Sequence, residues 1–170
     1  MTKLILVIVA IVLARVAEAN IFLGEGNRNQ FGFYLGGGDN RELNRNSAPV
    51  FMAAHYAQST EFFRLPARIL LEVAAVAGGG EEWGMAGGAL EVALVSWRGL
   101  YFGVGLGGHM RDRVTSRLDS KFTFSQKAFI GYGITDSFAM ELFARHISNG
   151  TLSERNAGYN FFGLSALVNF

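Results

Sequence analysis

The chain has 170 residues, with 22 Gly, 2 Pro, 15 Phe, no Cys and a formal net charge of +1. The lack of Cys excludes a disulfide scaffold and a thiolate metal centre, and a near-neutral chain without a basic run gives no electrostatic case for nucleic-acid binding. No apolar stretch reaches the roughly 18 residues of a helical span, so a membrane protein of this sequence has to be a closed barrel, the other structure that leaves no backbone group unpaired in lipid.

The N-terminus reads as an address. Lys3 supplies a positive start, Leu4 to Leu13 is unbroken and apolar, and Ala17-Glu18-Ala19 has the small-x-small pattern of a signal-peptidase site. The apolar run is about half the roughly 20 residues that a spanning helix needs. Residues 1–19 are therefore expected to be a cleaved signal peptide and residues 20–170 a single domain. Loss of Lys3, Arg15 and Glu18 leaves equal numbers of basic and acidic residues.

Beyond that point the informative signal is alternation with a period of two. Gln30 to Gly37 and Val50 to Ser59 are weak strand candidates. Ile69, Leu71, Val73 and Ala75 then alternate with Arg68, Leu70, Glu72 and Ala74. Leu90, Val92 and Leu94 alternate with Ala89, Glu91, Ala93 and Val95, and Phe102, Val104 and Leu106 with Gly103, Gly105 and Gly107. Phe122 to Gly133 is a third weak candidate. Phe138, Met140, Leu142 and Ala144 oppose Ala139, Glu141, Phe143 and Arg145. The last segment is the clearest, with Phe162, Leu164, Ala166, Val168 and Phe170 on one face and Phe161, Gly163, Ser165, Leu167 and Asn169 on the other. A terminal Phe on such a strand is typical of outer-membrane barrels.

Eight strands result, an even number as bacterial barrels require. The expected inner turns, Ser59–Pro66, Trp97–Leu100 and Ile134–Ser137, are short. The expected outer loops, Gly38–Ala48, Gly78–Met85, His109–Lys121 and Asn149–Tyr159, are longer, which is the usual asymmetry. A soluble eight-stranded barrel turns its large apolar residues inward. Here the face that carries large aliphatics and Phe opposes one carrying Gly, Ala, Glu, Arg and Ser, the pattern of lipid outside and a filled polar lumen inside. The fold class is thus all-β, an eight-stranded antiparallel transmembrane barrel. Glu72, Glu91, Glu141, Arg68, Arg145 and Lys127 take the lumen parity and are expected to form an internal ion-pair network rather than an acid/base site, because buried charges persist when paired.

The lipid-facing parity of the seventh strand continues past Ala144 to His146 and Ser148. Running the last strand backwards from Phe162 puts Asn160 on the same surface. Pairing of His146 with Asn160 across the final hairpin would bring their Cβ atoms within about 4.5–5.5 Å. Three polar side chains would then gather at the outer end of a surface where polar groups are costly. Such a set suits a hydrolase in which His146 is general base to Ser148 and Asn160 holds the imidazole tautomer, acting on a lipid of the outer leaflet.

The run Phe143-Ala144-Arg145-His146-Ile147-Ser148-Asn149-Gly150, followed by Asn156-Ala157-Gly158-Tyr159-Asn160-Phe161, resembles the outer-membrane lipid A 3-O-deacylases of PagL type. The close likeness covers Phe143 to Phe161; elsewhere it is one of size, signal peptide and strand pattern. It implies an eight-stranded barrel in the outer membrane that hydrolyses the 3-position ester of lipid A in lipopolysaccharide without a cofactor or metal. It also implies Ser148 as nucleophile, His146 as base, and Asn149 and Asn156 as oxyanion-hole candidates, with Gly150 keeping the backbone accessible. The best-known member of the family has a glutamate where this chain has Asn160. An Asn can orient a histidine but brings no charge to stabilise an imidazolium, and Glu154 in the loop is the other candidate for that place.

Gln126 takes the lipid face of the sixth strand, expected opposite Ala144 and diagonal to His146, where it either lines the site or marks the interface. Arg111, Arg113, Arg117 and Lys121 make the third outer loop basic, which fits either contact with lipid A phosphates or a solvated loop balanced by Asp112 and Asp119. His55 and His109 lie outside any metal-ligand spacing. The alternative to a deacylase is a small structural or adhesive barrel working through its outer loops. The sequence leaves open whether the barrel acts alone or as a homodimer.

Overall fold

The computed structural model describes residues 29–39, 48–80 and 82–170, so the expected signal peptide lies outside the described residues. Eight strands follow in chain order: β1 (Asn29–Gly38), β2 (Val50–Phe62), β3 (Leu65–Ala77), β4 (Trp83–Trp97), β5 (Leu100–Arg111), β6 (Phe122–Thr135), β7 (Phe138–Ser148) and β8 (Tyr159–Asn169). Each pairs antiparallel with its sequence neighbours, and β1 pairs with β8 from Gln30↔Asn169 to Gly38↔Phe161. The sheet is therefore a closed barrel without an edge, as lipid requires.

Alternation decides which side chains meet lipid. Leu71 and Leu106 are each 68 % exposed, whereas their neighbours Glu72 and Gly105 are buried inside. The three weak strand candidates are all real, and each is longer than its sequence pattern. β2 and β3 run to Phe62 and from Leu65, so the expected Ser59–Pro66 turn contracts to Phe63-Arg64, both with positive φ (50° and 65°).

One position departs from the alternation and one strand pair from the expected register. Val95 was expected on the lumen face with Ala93, but it is 46 % exposed on the outside. A bulge between Ala93 and Val95 inserts one residue, and this reverses the parity for the rest of β4. The β6–β7 hairpin likewise turns tightly at Asp136-Ser137 and carries an irregularity between Gly133 and Thr135. This shifts the register two residues from that expected. Gln126 pairs directly with His146 rather than with Ala144.

The lumen is filled by charge and aromatic rings. Arg68, fully buried, donates from Nε to Glu91 (2.9 Å), from Nη1 to Gln30 (2.7 Å) and from Nη2 to Glu141 (2.8 Å). Lys127 Nζ reaches Glu91 (3.0 Å), Glu141 (3.2 Å) and the Tyr34 hydroxyl (2.9 Å). Two cations thus face two carboxylates. A second pair lies further along, where Arg145 Nη1 meets Glu72 at 2.7 Å and the His109 ring approaches the same carboxylate at 3.4 Å. The sequence-expected ion-pair network is present with all six members.

The lumen face also carries rings that a reading of small and charged residues understates. Phe129 and Tyr101 lie inside because glycines on adjoining strands make room for them. A Cβ on Gly103 would sit 2.3 Å from Phe129 Cζ, and one on Gly131 2.2 Å from Tyr101 Cζ. Towards the outer end Phe51, Phe161, Tyr159 and Trp83 pack into one buried cluster.

Removing one member of a buried ion network strands its partners. Arg68→Ala leaves Lys127 alone against Glu91 and Glu141 and is expected to destabilise the barrel by about 3–5 kcal/mol. Urea unfolding in detergent micelles, followed by tryptophan fluorescence, measures this; an unchanged midpoint would show that the network contributes no stability.

Candidate active site on the lipid-facing wall

β7 and β8 bring the sequence-predicted residues to the outer end of the barrel. His146 pairs across the ladder with Asn160 on one side and with Gln126 on the other. Asn160 Oδ1 lies 2.8 Å from His146 Nδ1. An oxygen acceptor at that nitrogen selects the tautomer with the proton on Nδ1, which leaves the lone pair on Nε2 free to take a proton. Glu154, the other candidate for this contact, is exposed in the loop that follows β7. Among the described residues, Asn160 is the hydrogen-bond partner of His146.

Ser148 closes β7 two positions after His146 and has the same lipid-side parity. It is 9 % exposed, with Phe124 of β6 paired opposite it. No hydrogen bond joins Ser148 to His146 among the described residues. The two are held as neighbours on one strand face rather than as a closed pair.

The loop turns sharply just past the serine, with Gly150 (φ 60°) and Thr151 (φ 68°) both left-handed. Gly150 is also required for space, since a Cβ there would come 2.8 Å from the Phe124 ring. Asn149 is fully buried and organises the turn. Its Nδ2 donates to Ser153 Oγ (2.5 Å) and to the Arg155 carbonyl (2.8 Å), and its Oδ1 accepts from Thr151 N (3.1 Å). Asn156 Oδ1 accepts from Asn149 N at 2.9 Å, so this side chain presents an acceptor to the loop.

Gly158 is a site residue that spacing and parity did not single out, although it stands in the Asn-x-Gly part of the motif. It has φ 66°, and a Cβ there would lie 2.8 Å from His146 Cε1 and 3.3 Å from Nε2. The imidazole occupies the space that a side chain at 158 would need. Of the basic residues in the third outer loop, Arg117 turns inward, its Nε donating to the Gly158 carbonyl at 2.6 Å. Arg111 is buried with its guanidinium 4.3 Å above the Trp83 ring. Arg113 pairs with Asp112 in solvent and Lys121 is exposed.

A groove of about 420 Å³ runs along the outer wall from this site. His146, Asn160 and Gln126 stand at its head, Ala128 and Ala144 form its floor, and Leu106 and Phe162 rise beside it. Small residues between large lipid-facing ones make the channel, and away from the polar row at its head its lipid-facing walls, Val104, Leu106, Ala128, Ala144 and Phe162, are apolar.

Several comparisons bear on this arrangement. The family model described as "Lipid A 3-O-deacylase (PagL)" matches residues 21–169. Among solved structures, the crystal structure of the outer membrane enzyme PagL superposes with a TM-score of 0.62 at 12 % identity, covering 83 % of this chain and 99 % of that one. The Yersinia pestis outer membrane protein Ail, solved in a phospholipid bilayer nanodisc, gives a TM-score of 0.53 at 9 % identity over 85 % of this chain and 99 % of its own. No curated protein matches the sequence. The two structural likenesses establish the barrel architecture, and the family match extends over nearly all of the strand-forming chain. The chain belongs to the lipid A 3-O-deacylase (PagL) family and is an eight-stranded β-barrel of the outer membrane.

Proposed function

We propose that this barrel removes the 3-O-linked acyl chain of lipid A in the outer leaflet, with Ser148 as nucleophile, His146 as general base and Asn160 as the residue that orients the imidazole. The observation that carries the reading is the 2.8 Å contact between His146 Nδ1 and Asn160 Oδ1 at the head of an apolar, lipid-facing groove. A polar pair with a fixed tautomer is costly on that surface, and the groove beside it suits an acyl chain.

The chemistry runs in two halves. Ser148 Oγ attacks the ester carbonyl while His146 Nε2 takes its proton, and the tetrahedral intermediate then expels the sugar alkoxide, which receives that proton. Water next attacks the acyl-serine with the same base, releasing the fatty acid and restoring Ser148. The oxyanion is received by donors just after the nucleophile, led by the Gly150 amide, in the turn that the buried Asn149 side chain holds in place. Donors aimed at the developing charge commonly supply the largest single share of such catalysis. Asn156 supports them by bonding the Asn149 backbone.

Asn160 holds the tautomer and leaves the transient imidazolium uncompensated. Loss of the acid in serine proteases costs about 10⁴ in rate, chiefly through the wrong tautomer. An amide that accepts through oxygen avoids most of that loss.

The decisive measurement is mass spectrometry of lipid A from outer membranes expressing wild type, Ser148→Ala or His146→Ala. Wild type is expected to remove one 3-O-linked chain and both variants to fall by more than about 10³-fold; full activity in Ser148→Ala would overturn the mechanism. Asn160→Asp adds the missing charge and is expected to raise kcat about tenfold, while Asn160→Leu lowers it by at least that factor. Equal rates for all three would remove Asn160 from the site. Gly158→Ala pushes the imidazole from its seat, and kcat on purified lipid A is expected to drop about 10²-fold in an intact barrel. A wild-type rate there would mean that the ring position does not matter.

A further inference from the structure

Outside the catalytic set, three consecutive residues of the third outer loop (residues 112–121) touch the supports of both reacting side chains. Leu118 is fully buried in the aromatic cluster at the barrel mouth, which anchors the segment. It also bridges Asn156 in antiparallel fashion.

On one side of this anchor, Arg117 accepts at its carbonyl from Ala157 N (3.1 Å) and donates through Nε to the Gly158 carbonyl (2.6 Å). Gly158 is the residue against which the His146 ring rests. On the other side, Asp119 uses both carboxylate oxygens on the loop that follows Ser148. Its Oδ1 accepts from the Ser153 hydroxyl and, at 3.4 Å, from Asn149 Nδ2, and its Oδ2 accepts from Arg155 N at 3.2 Å. The Ser153 hydrogen bond, with the Arg155 amide adding to it, holds the Asp119 carboxyl below the usual carboxylate range. The group is thus a charged acceptor for three donors of one loop.

We propose that segment 117–119 is a clamp that sets the geometry of the catalytic loop, with Asp119 as the positioning residue for Ser148 and its oxyanion donors. This rests on the Ser148–His146 reading above. The turn at Gly150-Thr151 makes the need plain. Thr151, β-branched and left-handed, is strained unless surrounding contacts hold it. Asp119 adds contacts from outside the loop, at Asn149 just before the turn and at Ser153 and Arg155 just after it, to the bonds that the loop makes within itself. Catalysis is sensitive to this, since a displacement of about 1 Å at the reacting groups costs roughly 10² in rate.

The test uses the mature chain refolded in detergent, assayed on purified lipid A and, separately, by the rate of fluorophosphonate labelling of Ser148. Asp119→Ala is expected to lower kcat about 30-fold with KM within twofold, and to slow labelling in parallel, while heat-modifiable migration still reports a folded barrel. Asp119→Glu keeps the charge and should recover part of the loss, and Ser153→Ala, which removes the strongest donor, should fall in the same direction. Ser148→Ala is run alongside. If it is inactive and not labelled while folded Asp119→Ala and Ser153→Ala keep wild-type kcat and labelling, the clamp is overturned and the catalytic site stands. If Ser148→Ala retains full activity, the site and the clamp fall together.

Discussion

Everything in this molecule depends on the requirement that no backbone N–H or C=O be left unpaired in hydrocarbon. The requirement closes the sheet from β1 to β8, and closure imposes a strict two-residue alternation on every strand. One set of side chains then faces lipid and the other faces a lumen too narrow for solvent. From that single division follow the apolar belt, the paired charges within, and the outer wall as the place of the proposed site.

The inner face solves a packing problem by combining neutralised charge with rings. Arg68 and Lys127 against Glu91 and Glu141, and Arg145 against Glu72, leave no cation of the network without a carboxylate. Glycines such as Gly103 and Gly131 let Phe129 and Tyr101 lie flat across the neighbouring strand. Much of the high glycine content is thereby explained as space rather than as turn chemistry. A rigid filled barrel is also a firm base for a site built on its surface.

On that surface, the strand ladder and the loops divide the work. The ladder delivers His146, Asn160 and Gln126 in a row, because residues paired across strands share a face. The loops then control what the ladder cannot reach: the turn beyond Ser148, the hollow at Gly158 that receives the imidazole, and the segment at the barrel mouth that holds both. Replacement of an acid by Asn160 fits this division. In the proposed mechanism, an amide oxygen 2.8 Å from Nδ1 keeps the geometric function of the third residue and gives up only its charge.

The sequence by itself determined the barrel, its strand number, the sidedness of nearly every strand residue, the six-member charge network and the placing of His146 and Asn160 on one lipid-facing surface. All of these are consequences of period-two alternation, which is a local property and can be read residue by residue. It also carried the family motif between Phe143 and Phe161. What only the tertiary structure decided were matters of register and of contacts between distant segments. The bulge at Ala93/Val95 turned Val95 outward, and the tight Asp136-Ser137 turn moved Gln126 from beside Ala144 to beside His146. An inserted residue leaves no mark in an apolar–polar pattern until the partner strand is known. The choice of Asn160 over Glu154 and the seat at Gly158 depend on the conformation of the β7–β8 connection, and the grip of Asp119 on residues 149–155 joins segments some thirty residues apart along the chain, so none of the three was visible in the alternation.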